Sequence, residues 1–141
     1  MSDSVVIIPT YNEIENIESI IRKVFSLQKS FDVLIVDDNS PDGTAAAVRK
    51  LQSEFGEKLF LENRAKKAGL GTAYVHGFKW SLDRNYDYIF EMDADFSHNP
   101  EDLIKLYNAC ALQNASVAIG SRYVTGVNVV NWPLNRVLMS Y

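Results

Sequence analysis

Short apolar runs rich in β-branched residues alternate along this chain with longer stretches whose apolar residues recur at helical spacing. This alternation is typical of a mainly parallel sheet, because each crossover helix returns the chain to the same end of the sheet. We therefore predict an α/β fold with a mainly parallel sheet flanked by helices. The predicted strands are Val5–Ile8, Phe31–Val36, Lys58–Leu61, Tyr86–Met92 and Val117–Ile119.

The first crossover carries the clearest helical pattern. Pro9 lacks a backbone N–H and should end the pairing of the first strand. Thr10 or Asn12 could then cap a helix that begins near Glu13. The buried face of this helix should consist of its apolar residues at helical spacing, which are Ile14, Ile17, Ile21 and Val24. Further helices are predicted after Thr44, from Gly71 to about Arg84, and from Pro100.

The composition limits which functions need to be considered. A chain of 141 residues fits one domain, and a net charge of −4 with scattered basic residues argues against nucleic-acid binding. The longest apolar runs are far shorter than the roughly 20 residues that span a bilayer. Met1–Ser4 carry no basic segment, so we expect no secretory signal. Cys110 is the only cysteine, which excludes an internal disulfide and indicates a small core residue.

The segment after the fourth predicted strand offers two carboxylates, Asp93 and Asp95, with one residue between them. Carboxylate oxygens suit Mg²⁺ or Mn²⁺, and a cation held by only one or two carboxylates keeps positions open for substrate phosphates. This pattern indicates a nucleotide-diphosphate substrate. The alternative is an acidic junction between strand and loop in which the Asp side chains cap the next helix.

Polar segments follow three of the predicted strands, at the edge where ligands bind in sheets of this kind. They are Pro9–Glu13, Asp37–Asp38 and Asp93–Asp95. One nucleotide could therefore touch all three. Tyr11 could pack beside a base or ribose, or it could be an aromatic residue at the edge of the core. Asp38 could accept hydrogen bonds from a base or ribose, whereas Asp37 could serve only to cap its turn.

Five segments of the chain form a recognisable set. They are PTYNE at 9–13, DDNSPDGT at 37–44, GLGTAY at 69–74, MDADFSHNP at 92–100 and GSRY at 120–123. Together they resemble the polyprenyl-phosphate sugar synthases of glycosyltransferase family two, most closely the dolichyl-phosphate mannosyltransferases. PTYNE and D-x-D occur widely among inverting glycosyltransferases, whereas SPDGT, GLGTAY and DFSHNP are more specific. The resemblance runs in order from the first strand to the end of the chain.

This resemblance implies a nucleotide-binding glycosyltransferase fold of the A type, which is Rossmann-like. It also implies an enzyme that uses Mg²⁺ or Mn²⁺ to transfer mannose from GDP-mannose to a polyprenyl (dolichyl) phosphate with inversion. The family is longer than this chain, so residues 1–141 should be the N-terminal nucleotide-sugar-binding portion of a single catalytic domain, truncated at the C-terminus. The sequence leaves open whether this portion is active alone. The expected location is cytoplasmic, peripheral to the cytoplasmic face of a membrane, with a possible membrane-anchoring region beyond the end of the chain.

The resemblance also assigns roles to individual residues. Those expected to contact the guanosine are Pro9, Tyr11, Glu13, Val36 and Asp38. Those expected to hold the diphosphate through the metal are Asp93, Ala94 and Asp95, with Ser97 as a further metal-site contact. Arg122 corresponds to an arginine near the reacting phosphates of donor and acceptor, and Arg136 and Ser140 correspond to contacts of the lipid phosphate. Asp95 and Arg122 are the expected catalytic residues.

The remaining polar residues fit a reaction that needs no strong general base, because a phosphate nucleophile with a second pKa of about 6 is largely ionised at neutral pH. His98 could orient the metal loop. Lys66 and Lys67 could face the diphosphate or form a solvated basic turn. The segment Val127–Leu134 could approach a membrane or the lipid chain, or it could be a core strand.

Two other functions remain open from the sequence, and a third possibility is a regulatory fragment that only binds its ligand. A polyprenyl-phosphate glucosyltransferase that uses UDP-glucose would differ in few contacts to the base and the sugar. Leu34–Asp38 and Asp93 also resemble the acidic residues of a phosphorylation-dependent receiver domain. Against a receiver, a complete strand and helix precede the acidic pair, and no clear Lys follows Val117–Ile119.

Overall fold

The computed structural model describes residues 2–120, which contain one four-stranded sheet. The strands are β1 (Ser4–Thr10), β2 (Asp32–Asp37), β3 (Leu59–Asn63) and β4 (Tyr88–Glu91), in the order β3-β2-β1-β4. The helices are α1 (Ile17–Phe25), α2 (Thr44–Phe55), α3 (Leu70–Asp83) and α4 (Asp102–Ala111), and a short 3₁₀ turn covers Gly56–Lys58. All three strand pairs are parallel, which confirms the predicted architecture.

The core has two layers, one on each face of the sheet. Successive residues of a strand point to opposite faces. Val6 and Ile8 of β1 accordingly pack in the layer that contains α1, α2 and α4, whereas Val5 and Ile7 pack in the layer that contains α3. Because helices cover both faces, a ligand must bind at the ends of the strands. No helix within residues 2–120 is both long and apolar enough to cross a membrane.

The chain order reverses beside β1, since the chain first adds β2 and β3 on one side and then returns to add β4 on the other. Pro9 lies at this reversal, because it pairs with β2 but not with β4. On the β2 side the ladder continues, and the Thr10 carbonyl accepts the Asp38 N–H at 3.1 Å. On the β4 side the last bond joins the Met92 N–H to the Ile7 carbonyl at 3.1 Å, and Pro9 has no N–H to continue it. Ligands of open α/β sheets bind at such a reversal.

The first helix begins later than predicted. Residues 13–16 form a turn in which the N–H groups of Asn16 and Ile17 both bond to the Glu13 carbonyl. Ile14 is 42% exposed and does not join the buried face of α1, so its prediction as a core residue was wrong. Capping by Thr10 or Asn12 was also wrong, because the residue before α1 is Asn16 and it makes no side-chain cap bond.

The predicted fifth strand is not present in the described part of the chain. Residues 117–119 are neither helix nor strand, and Val117 and Ile119 are 75% and 84% exposed. The prediction failed because a strand requires a hydrogen-bonded neighbour as well as an apolar β-branched sequence. Within residues 2–120 no strand pairs with this segment.

Candidate active site

Asp37 joins the loop after β1 to the loop after β2. Its Oδ1 accepts hydrogen bonds from the Thr10 hydroxyl at 2.7 Å and the Ser40 hydroxyl at 2.6 Å, and its Oδ2 accepts the Ser40 N–H at 3.0 Å. The Ser40 hydroxyl in turn accepts the N–H of Asn12 at 2.9 Å. The carboxylate is fully buried and its bonds are internal, so Asp37 has the turn-capping role that the sequence allowed.

Asp42 and Thr44 hold the segment that follows β1. Asp42 Oδ2 accepts the N–H of Ile14 at 3.1 Å, and the Thr44 hydroxyl accepts the N–H of Glu13 at 3.1 Å. Burial alone would raise the pKa of Asp42, but the hydrogen bonds from Thr44 and Ile14 outweigh it, and the pKa lies below its ordinary value. The SPDGT motif thus fixes the position of the segment that carries Tyr11 and Glu13.

Asp38 forms a nearly buried ion pair with Arg64, the first residue after β3. Arg64 donates from Nε to Oδ1 at 2.6 Å and from Nη2 to Oδ2 at 2.8 Å. Its Nη1 donates to the hydroxyl of Thr72 in α3 at 3.2 Å. The hydrogen bond to Asp38 raises the pKa of Arg64 more than burial lowers it. Because each carboxylate oxygen has further lone pairs, Asp38 remains an acceptor for a base or ribose while it is held in one orientation.

The ring of Tyr11 lies at the surface of this edge. It is 39% exposed, so it is not part of the core. The Nζ atom of Lys67 lies 4.5 Å from the ring centroid, in a cation–π contact that joins the loop before α3 to the loop after β1. Lys66 and Lys67 are both exposed. An aromatic ring and a cation from two loops thus lie together at the surface.

Asp93 and Asp95 lie just beyond the end of β4, and each has its own support. Asp93 Oδ1 accepts the Tyr74 hydroxyl at 2.9 Å, and the Asp93 N–H is 3.4 Å from Nδ1 of His98. Burial and then the charge of Asp93 raise the pKa of the Tyr74 phenol, which therefore stays protonated and donates. Asp95 Oδ1 accepts the N–H of Ser97 at 3.0 Å. Both carboxylates are thereby oriented by neighbours that donate hydrogen bonds.

The Asp95 turn depends on an unusual backbone conformation. Phe96 has a φ of 61°, in the left-handed region that residues other than glycine rarely adopt. This φ turns the chain so that the Ser97 N–H points back to Asp95. Burial alone would raise the pKa of Asp95. The hydrogen bonds from Ser97, together with the electrostatic effect of the nearby His98, lower this pKa below its ordinary value. Asp95 is therefore ionised, as a cation ligand must be.

Glu13 shows that the acidic groups of three loops converge. Its pKa is raised by burial first, against a hydrogen bond from Asn16, and then by the charges of Asp95, Asp42 and Asp93. Carboxylates that repel one another in this way create a negative potential, which a bound cation would neutralise. The convergence brings together the loops after β1, β2 and β4.

The donor set fits a cation that is shared with a ligand. Within residues 2–120 no three Asp, Glu, His or Cys side chains form a complete group of metal ligands. Asp93 and Asp95 supply hard carboxylate oxygens, which Mg²⁺ and Mn²⁺ prefer. A cation held by two such groups fills its other positions with water or phosphate oxygens. The residues present therefore suit a cation bound together with a diphosphate.

Other residues expected at the site lie deeper. Pro9, Val36 and Ala94 are all buried, and the side chain of Val36 packs in the core layer beside α3. A nucleoside could therefore contact Val36 only through its backbone. Arg122, Arg136, Ser140 and the segment 127–134 lie outside the described residues. Arg64 and Tyr74 are site residues that the sequence did not predict, although Tyr74 ends the GLGTAY motif.

Two solved structures share this fold. The S. aureus protein TarS (residues 1–349, in complex with UDP-GlcNAc) matches with a TM-score of 0.64 and 23% identity over 81% of this chain and 31% of that chain. A mannosyltransferase from Pyrobaculum calidifontis, in complex with GDP-Man and Mn²⁺, matches with a TM-score of 0.51 and 29% identity over 55% of this chain and 24% of that chain. The fold is therefore an α/β fold of the glycosyltransferase A type.

The sequence comparisons identify the family. The family model described as "Glycosyl transferase family 2" matches residues 5–140, and the chain belongs to this family. Polyprenol monophosphomannose synthase of Mycolicibacterium smegmatis is 47% identical over 137 residues, which cover 97% of this chain and 51% of that protein. Dolichol-phosphate mannosyltransferase of Pyrococcus furiosus is 41% identical over 138 residues, which cover 96% of this chain and 37% of that protein. The chain thus spans about half or less of the length of these relatives.

Proposed function

We propose that this protein transfers mannose from GDP-mannose to a polyprenyl phosphate such as dolichyl phosphate, with inversion at the sugar and with Mg²⁺ or Mn²⁺. The observation that carries the proposal is that Asp38, Asp93 and Asp95 follow the carboxyl ends of the parallel strands β2 and β4, at the same edge of the sheet. The names of the two relatives support mannose and a polyprenyl acceptor. The Pyrobaculum enzyme in complex with GDP-Man and Mn²⁺ supports the donor and the cation.

The proposed donor site extends along the carboxyl ends of the strands. Asp38, oriented by Arg64, accepts hydrogen bonds from guanosine, and the exposed ring of Tyr11 packs beside it. Glu13 and the backbones of Pro9 and Val36 complete the nucleoside contacts. At the other end, Asp93 and Asp95 hold the diphosphate through the cation, with the backbone of Ala94 between them and Ser97 supporting Asp95.

The chemistry requires charge neutralisation more than proton transfer. An acceptor phosphate oxygen attacks the sugar carbon on the face opposite the diphosphate, the bond from that carbon to the diphosphate breaks, and GDP leaves with inversion. Asp93 and Asp95 would hold the cation, which would supply Lewis-acid stabilisation of the leaving diphosphate. The phosphate nucleophile is largely ionised at neutral pH, so no side chain needs to remove a proton. In this proposal Arg122 contacts the reacting phosphates, and Arg136 and Ser140 contact the lipid phosphate.

The acceptor determines where the protein acts. A polyprenyl chain is apolar and stays in a bilayer, so the proposed site works at a membrane surface, on the cytoplasmic face. We also propose that residues 1–141 are the nucleotide-sugar-binding portion of a single catalytic domain. The relatives' greater length supports this division, since this chain covers only 51% and 37% of them.

A transfer assay tests the proposed function. The protein is incubated with Mn²⁺, undecaprenyl or dolichyl phosphate and either GDP-mannose or UDP-glucose labelled in the sugar, and label is measured in the extracted lipid. We expect label from GDP-mannose only. Asp95→Asn should reduce transfer by at least about 100-fold, because loss of even an outer-shell partner costs 10–100-fold in metal affinity or activity.

A matched control is Asp102→Asn, which changes an exposed aspartate in the first turn of α4. This variant should keep full activity. Lipid labelled from UDP-glucose alone would replace mannose with glucose as the transferred sugar. Equal activity of the Asp95 variant would contradict the proposed reaction, as would absence of transfer from both donors in a protein that also contains the acceptor-binding residues.

A further inference from the structure

Tyr74, a residue of α3, contacts Asp93, one of the two proposed cation ligands. Its hydroxyl donates to Asp93 Oδ1 at 2.9 Å, and in the described part of the chain no other side chain hydrogen-bonds to the Asp93 carboxylate. The side chain is half-buried, so the ring is held by packing, and it joins the core layer that contains α3. Oδ1 of Asp93 is therefore oriented by one donor on a rigid helix.

The position of this donor is set by a close contact of α3 with the sheet. Gly77, one turn after Tyr74, lies so near β1 that a Cβ atom there would be 2.6 Å from Cγ2 of Ile7. The Ile7 carbonyl accepts the N–H of Met92, the residue before Asp93. Gly77 of α3 thus contacts Ile7, and Ile7 bonds to Met92, the neighbour of Asp93. Asp93 is in turn bonded to Tyr74 of the same helix.

We propose that Tyr74 is a positioning residue for the cation site, whose hydroxyl fixes the Asp93 carboxylate for binding the cation that the donor diphosphate shares. This inference rests on the proposed function, and it adds a residue that touches neither the cation nor the substrate. Ligating carboxylates are commonly held by outer-shell hydrogen bonds, and removal of such a partner typically costs about 10- to 100-fold in metal affinity.

The test is Tyr74→Phe, which removes one oxygen and keeps the ring. Tyr86→Phe is the matched control, because the Tyr86 hydroxyl donates to a buried aspartate in the same way, to Asp32 Oδ2 at 2.6 Å. Asp32 is the first residue of β2, at the opposite end of the sheet from the site. Free Mn²⁺ is measured by electron paramagnetic resonance during titration in saturating GDP, and GDP binding is measured separately with a chelator. Circular dichroism and melting temperatures check that both variants are folded.

We expect Tyr74→Phe to weaken Mn²⁺ binding in the presence of GDP by about 10- to 100-fold and to leave metal-free GDP binding unchanged. Tyr86→Phe should lower the melting temperature and leave Mn²⁺ binding unchanged. Wild-type Mn²⁺ affinity in the Tyr74 variant, or equal weakening in both variants, would overturn the positioning role while the proposed function stands. A wild-type protein that binds GDP no better with Mn²⁺ than with chelator would overturn the proposed function and this inference together.

Discussion

The ion pair between Asp38 and Arg64 should contribute to stability as well as to nucleotide binding. Arg64→Met removes the guanidinium from a pair whose side chains are only 7% and 16% exposed. Removal of one partner of a buried ion pair costs roughly 3–5 kcal/mol, because the remaining charge stays desolvated. Arg64 lies at the edge of the site, so we expect about 3 kcal/mol, or a fall of roughly 10 °C in the melting temperature.

The matched control is Arg22→Met. Arg22 also donates two hydrogen bonds to one carboxylate, that of Glu54, at 2.6 and 2.9 Å. These side chains are 43% and 52% exposed, so solvent screens the pair and its loss should change the melting temperature little. Thermal unfolding is followed by circular dichroism for both variants. Equal melting temperatures for the two would refute the argument from burial, and unchanged GDP affinity in the Arg64 variant would refute its role in orienting Asp38.

Two further substitutions test the packing and the electrostatics of the site. Gly77→Ala should destabilise the protein by about 1–3 kcal/mol through overpacking against Ile7. Gly71→Ala is the control in the same helix, because a Cβ atom there meets nothing within 4 Å, and it should leave the melting temperature unchanged or raise it. Equal melting temperatures for these two variants would contradict the close contact. The pKa of Glu13 is raised by burial first and also by nearby carboxylates, so its ionisation costs stability as pH rises through that pKa. In chelator, Glu13→Gln should therefore be more stable than wild type at neutral pH, with the difference lost below about pH 4, where Glu13 is protonated in both states. A difference in unfolding free energy that does not vary with pH would contradict this.

Most of the sheet could be predicted from the sequence, because its signals are local. Val5–Ile8 and Phe31–Val36 are continuous apolar runs, and such runs indicate strands covered on both faces. Ile14 fits the helical period of α1, but side-chain and backbone hydrogen bonds from the turn at 13–16 and from Asp42 hold it outside the helix. The error at Val117–Ile119 has the opposite origin, since strand pairing is a non-local property that an apolar run does not encode.

The site could be predicted only in part. The placement of Asp93 and Asp95 followed from topology, because carboxyl ends of parallel strands meet at one edge. Arg64 and Tyr74 could not be predicted as site residues, because their partners lie 26 and 19 residues away in the sequence. An arginine after a strand and a tyrosine within a helix carry no local sign of such a contact. The role of Arg64 becomes visible only when the pairing of β2 with β3 is known, and that of Tyr74 only when the packing of α3 against β1 is known.

The most direct test of the proposed donor site is a calorimetric titration of the 141-residue chain. GDP-mannose, GDP and UDP-glucose are each titrated with Mn²⁺ and with chelator, into wild type and into Asp95→Ala. The proposal predicts that both guanosine ligands bind better with Mn²⁺, that this gain is lost in the variant, and that UDP-glucose binds more weakly. Preferential binding of UDP-glucose, or guanosine binding that responds neither to Mn²⁺ nor to the loss of Asp95, would contradict it.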